Sequence, residues 1–159
     1  MIKFCFFISL IIALIYIILN NNIYINDKPK NTLVVGSHYY GFIDTFIVCL
    51  KLRLRGYKVV TVTKHKPKII NFFENDRFKV IKLKSGNVLN KLVEYQHKGF
   101  IILLSIYKNY SSSGIKNIIK KTNNNKILMY NFLHKNRTVE LNQENVKNIN
   151  NIILKNFYG

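Results

Sequence analysis

From residue 32 to residue 133, short runs of β-branched and aliphatic residues alternate with stretches whose apolar residues recur every three or four positions. This alternation narrows the fold more than any other feature of the chain. Residues 32–35 form an apolar β-branched run that stops at Gly36. Phe42, Ile43, Phe46, Ile47, Leu50 and Leu54 then repeat at helical spacing, and Gly56 supplies the stop. Residues 57–63, rich in Val and Thr, read as a strand. Pro67 opens a short helix through Phe73, and 78–83 alternates apolar residues with Lys as a half-buried strand does. Ser85 is the N-cap expected for a helix over 88–97, with Val88, Leu89, Leu92 and Val93 on its apolar face and Gly99 at its end. Residues 100–107 and 127–133 read as buried strands, and a helix over 140–156 closes the chain. Strands alternating with helices imply βαβ units. The expected fold is therefore an α/β domain over 30–159, its mostly parallel sheet flanked by helices.

Ahead of this domain, residues 4–19 are an apolar run broken only by Ser9, preceded by Lys3 and closed by Asn20, Asn21 and Asn22. At ~1.5 Å per residue such a helix spans a little less than a hydrocarbon core of ~30 Å. A retained N-terminal membrane helix over 1–22 is the expectation. The rival is a cleaved signal peptide, against which the asparagines offer no small-residue cleavage site. Lys28 and Lys30 follow the run and the remaining chain is basic, which favours a single-pass anchor with the body on the cytosolic side.

The 25 Lys and Arg against seven Asp and Glu give a net charge of +18, so the partners are polyanions: anionic lipid, phosphorylated metabolites or nucleic acid. Asn and Lys runs reflect a compositional bias, and the charge fixes the sign of the partner more firmly than its identity. Cys5 and Cys49 are too few for a disulfide framework or a metal set, and His38, His65, His97 and His134 are scattered singly. No metal or cofactor is expected.

Gly36-Ser37-His38-Tyr39-Tyr40-Gly41-Phe42-Ile43-Asp44 joins the first strand to the first helix, where α/β folds gather their ligands. A histidine there, with a carboxylate at the start of the helix, can act as a base and its orienter. His38 would remove a hydroxyl proton, and Asp44 would fix the imidazole tautomer. The plainer alternative is that Asp44 caps the helix or complements its dipole and His38 is an ordinary loop residue. Ser111-Ser112-Ser113-Gly114 reads as a polar loop able to form a phosphate nest.

The segment resembles the first motif of the lysophosphatidic acid and glycerol-3-phosphate acyltransferases, in which an apolar strand leads to Asn-His, four residues and Asp. Here Ser37 stands for the Asn, and five residues separate His38 from Asp44. Some likeness to the His-Pro-His-Gly motif of diacylglycerol acyltransferases is also present. Lys64 after the second strand and Lys84-Ser85 after the third are similar to basic positions of the family. Gly99 and the apolar strand after it resemble the approach to the family's Phe-Pro-Glu-Gly-Thr-Arg-Ser motif. Aligned without a gap, this chain reads Ser105-Ile106-Tyr107-Lys108-Asn109-Tyr110-Ser111-Ser112-Ser113-Gly114. Ser111 and Gly114 match, whereas Tyr107 stands at the Glu position and Tyr110 at the Arg position. Ile119-Lys120-Lys121-Thr122 resembles the later Phe-Lys-x-Gly element.

The resemblance implies an O-acyltransferase that moves a fatty acyl group from acyl-CoA, as substrate, to a lysophospholipid or glycerol-phosphate hydroxyl. His38 and Asp44 would be catalytic, and Lys84, Lys108, Ser111, Gly114 and Lys120 would bind substrate. The expected partners are membrane lipid and acyl-CoA, with no nucleic acid and no obligate protein partner. The chief rival is a catalytically inactive relic that binds anionic membrane through its basic face. A nucleic-acid binder and a small glycosyltransferase-like enzyme are weaker rivals, lacking a basic helix-turn-helix and an Asp-x-Asp pair respectively.

Overall fold

The computed structural model describes residues 11, 12, 15, 31–37, 42–64, 70–83, 87–106, 112–122, 124–130 and 137–158. The elements run β1 (Thr32–Ser37), α1 (Phe42–Leu54), β2 (Lys58–Thr63), α2 (Ile70–Phe73), β3 (Phe78–Lys82) and α3 (Val88–His97). They continue with β4 (Phe100–Ile106), α4 (Ser112–Lys121), β5 (Lys126–Tyr130), β6 (Arg137–Glu140), α5 (Gln143–Lys147) and α6 (Ile149–Tyr158). The six strands form one sheet in the order β3-β2-β4-β1-β5-β6. All neighbours are parallel except β5 and β6. The expected α/β class with a mostly parallel, helix-flanked sheet is therefore observed.

The connections explain the two layers. α3, α4 and α6 cover one face, packing Leu92, Ile115, Ile119, Ile149, Ile153 and Phe157 against Leu33, Val35, Ile102, Leu104, Ile106 and Met129. α1 covers the other, setting Val48, Cys49 and Leu52 against Val34, Val59, Ile101, Leu103, Leu128 and Tyr130. α2 joins the α1 side, where Phe73 meets Phe46 edge-to-face with ring centroids 6.3 Å apart. Strands buried on both faces read as continuous apolar runs, which is why 32–35 and 100–106 carry little alternation.

Several expectations are corrected. Of the apolar repeat expected in α1, Ile47 is fully buried, Phe46 and Leu50 are half-buried and Leu54 is 74% exposed, while Val48, Cys49 and Leu52 meet the sheet. A helix that is apolar nearly all round gives two candidate stripes, and periodicity alone does not choose between them. In β3, Val80 and Ile81 are consecutive and both buried, so the strand is less one-sided than its Lys spacing suggested. The N-cap of α3 is Asn87, with no side-chain cap bond; Ser85 lies outside the described residues.

The C-terminal region differs most. The expected helix over 140–156 begins three residues later and divides at Asn148 into α5 and α6, with Asn142 capping α5 by accepting the Asn145 N–H at 2.7 Å. Ahead of it Arg137–Glu140 pairs antiparallel with β5 and supplies one edge of the sheet. At the other edge, the Glu74 carboxylate accepts the Val80 N–H of β3 at 2.8 Å. Gly56 and Gly99, at φ +84° and +81°, end α1 and α3 in the left-handed conformation that a helix stop of this kind requires.

The anchor expected over 1–22 falls almost wholly outside the described residues. No described helix is long and apolar enough to cross a membrane.

Candidate functional site

β1 and β4 are adjacent and parallel, and the helices that follow them, α1 and α4, lie on opposite faces of the sheet. Their carboxyl ends therefore form a topological switch point, the position at which open α/β sheets present a crevice to ligands. The last residues of the two strands, Ser37 and Ile106, are register partners. His38 follows one directly, and Tyr107, Lys108 and Ser111 follow the other; these four lie outside the described residues. The chain thus launches both halves of the motif-like sequence from neighbouring points.

The α1 face changes character at this end. Side chains alternate along each strand, so Gly36 succeeds Val34, Ser105 succeeds Leu103, Tyr130 succeeds Leu128, and Thr61 succeeds Val59. Gly36 is in register with both Ser105 and Tyr130. Beneath the first turn of α1 this layer therefore carries a glycine between Ser105 and the buried Tyr130, with Thr61 one step lower at the level of Leu103. Among the described residues a Cβ at Gly36 would meet only the Leu104 carbonyl, at 3.9 Å. Thr61 is 5% exposed, and its hydroxyl finds no hydrogen-bond partner among the described residues.

A side-chain bond ties α1 to this level of the sheet. The Thr45 hydroxyl is hydrogen-bonded to the Ser105 hydroxyl across the layer. Asp44 occupies the adjoining position, in the first turn of α1, and its side chain lies outside what is described.

The remaining proposed site residues divide by the end of the sheet they occupy. Gly114 lies in the first turn of α4, near the carboxyl end of β4, and is exposed. It belongs to a helix rather than to the polar loop expected over 111–114. Lys120 lies six residues on, about 9 Å along the axis, in the last turn of the same helix. It faces solvent where the chain turns into β5, at the amino end of the sheet. Lys120 is thus not brought together with the switch point. β3, which leads to Lys84, is three strands from β1, about 14 Å away; Lys84 itself is outside the described residues. Lys64, after β2, is exposed.

Two groups on α1 have chemistry that burial alters. The Cys49 thiol is buried and pushed up to about 12 by that burial, with Arg53 opposing the rise, so it is not a nucleophile near neutral pH. Lys51 is 5% exposed, and its amine is lowered to about 8 by burial first and by the charge of Arg55 second. Among the described residues no group of His, Cys, Asp and Glu could hold a metal ion.

Reasoning from residue types missed Thr45 and Tyr130 as members of this end. The one available signal was Ser105, the lone polar residue in the run Phe100–Ile106. No protein-family model, curated protein or solved structure matches the chain.

Proposed function

We propose that the chain is an O-acyltransferase that moves a fatty acyl group from acyl-CoA to a lysophospholipid or glycerol-phosphate hydroxyl. The observation that carries this reading is the emergence of the two motif-like segments, the one with His38 and the one with 107–111, from adjacent strand ends at a topological switch point. An acyl thioester is reactive enough that no enzyme nucleophile is required, and the unreactive state of Cys49 fits such a scheme.

In the proposed reaction the His38 imidazole takes the acceptor hydroxyl proton as the oxygen attacks the thioester carbonyl. The tetrahedral oxyanion then collapses. The carbon–oxygen bond is retained, the carbon–sulfur bond breaks, and the CoA thiolate leaves with the proton returned by the imidazolium. Asp44 holds the imidazole in one tautomer throughout. Lys108, which follows β4 in sequence, would meet a phosphate on the acceptor, and so would Lys84, which follows β3. Lys120 has no part in this scheme.

His38→Ala is expected to abolish transfer in a membrane assay with labelled acyl-CoA, and unchanged transfer would sink the mechanism. Tyr107 and Tyr110, standing where the similar family has Glu and Arg, favour a second reading: a catalytically inactive relic that binds anionic membrane. Under that reading, vesicle binding survives His38→Ala combined with Asp44→Ala, and no acyl transfer is found in the unaltered chain.

A further inference from the structure

We infer that the Thr45–Ser105 hydroxyl pair is a positioning device that pins the first turn of α1, and with it the Asp44 position, to the end of β4. This rests on the acyltransferase reading for its consequence in catalysis, though not for its geometry.

A threonine inside a helix commonly turns its hydroxyl back to the carbonyl one turn earlier. The Thr45 hydroxyl shares a hydrogen bond with a residue 60 positions away, in β4. The surroundings make that bond meaningful. Below this level α1 is held to the sheet by Val48, Cys49 and Leu52. At the level of Thr45 the sheet offers Ser105 beside a glycine, and Gly36 provides no side chain for the helix to pack against. Dispersion contacts are non-directional and fall away where atoms are missing, so they leave the first turn free to shift by small amounts. One directional bond removes that freedom at the turn that carries Asp44. A displacement of about 1 Å in a catalytic group is enough to cost about a hundredfold in rate.

The test uses the full-length chain in lipid nanodiscs. Thr45→Val keeps the side-chain volume and removes the hydroxyl, Ser105→Ala removes its partner, and Thr45→Ser restores a hydroxyl. The expected result is a fall in kcat of about 10- to 100-fold in both Thr45→Val and Ser105→Ala, with KM for acyl-CoA and the melting temperature little changed. The double variant should lose no more than either single one, because both remove the same bond. Thr45→Ser should recover most of the rate. A kcat within twofold of wild type in Thr45→Val, or additive losses in the double variant, would overturn the assignment.

A second readout does not depend on turnover. Nitrogen-15 shifts of the His38 ring should report one tautomer in the unaltered chain and a mixture in Thr45→Val, with the single tautomer regained in Thr45→Ser. If the unaltered chain transfers no acyl group, the acyltransferase reading falls, and the tautomer comparison still decides the pin. A mixed tautomer already present in the unaltered chain would overturn the pin, since nothing would then be held in place.

Discussion

On the face covered by α3, α4 and α6, the strands stay apolar to their carboxyl ends, where Leu104, Ile106 and Met129 are all buried. On the α1 face, one residue over in each strand, the same level is occupied by Gly36, Ser105 and Tyr130. Both faces belong to one sheet and share its register, so the contrast comes from side-chain choice rather than backbone geometry. The first face is apolar throughout, whereas on the other a glycine and a half-buried serine stand beside the buried Tyr130 at the same level. Polar and small residues at a strand end are compatible with a stable sheet when the opposite layer stays apolar there.

Four substitutions probe that contrast, in decreasing order of effect. Leu33→Ala, in the all-apolar layer at a fully buried position, should lower unfolding free energy by about 3 kcal/mol in a urea titration. A loss under about 1 kcal/mol would mean that this layer is not the cohesive one. Thr61→Val, in the opposing layer, should raise stability by about 1 kcal/mol, because it removes a buried hydroxyl without a described partner. A decrease would reveal that the hydroxyl is in use.

Lys51→Met on α1 should stabilise by about 1 kcal/mol below pH 8. There the folded chain holds a buried ammonium that the unfolded chain keeps in water. The advantage should shrink as pH rises from about 8, where the buried amine loses its proton, toward 10.5, the usual lysine value. Unfolding titrations at several pH values would show this slope, and a gain that grew with pH would refute it. Gly36→Ala should change stability by no more than about 0.5 kcal/mol, since the added carbon meets only ordinary contact at 3.9 Å. A larger loss would show that the gap beside Ser105 is closed.

The alternation of elements was legible because buried parallel strands concentrate Val, Ile and Leu. β1, β2, β4 and β5 stand out against the Lys- and Asn-rich chain between them. α4 was not legible: Ser112-Ser113-Gly114 and Asn117 are weak helix formers, and the helix is held by Ile115 and Ile119 docking on the sheet. β6 was missed because its four residues bury little, with Val139 alone half-buried and the others exposed. Strand order was out of reach for a different reason. β1 leads by way of α1 to a strand two places away, with β4 inserted later between them, and local patterns carry no record of such insertions. The switch point follows from that order. Hence the roles given to His38 and Lys108 could be phrased from motif likeness, while the placing of Lys120 at the opposite end of the sheet from the switch point could not.

The carboxylate of Glu74 on the Val80 N–H has a consequence for how copies of this chain meet one another. β3 is an outer strand, and an outer strand with open amides is a template on which a foreign strand can zip. By occupying one of those rungs with its own side chain, the chain interrupts the ladder before a neighbour can begin it. Replacing Glu74 with an alkyl side chain would reopen the rung and turn a self-contained sheet into one that can be extended.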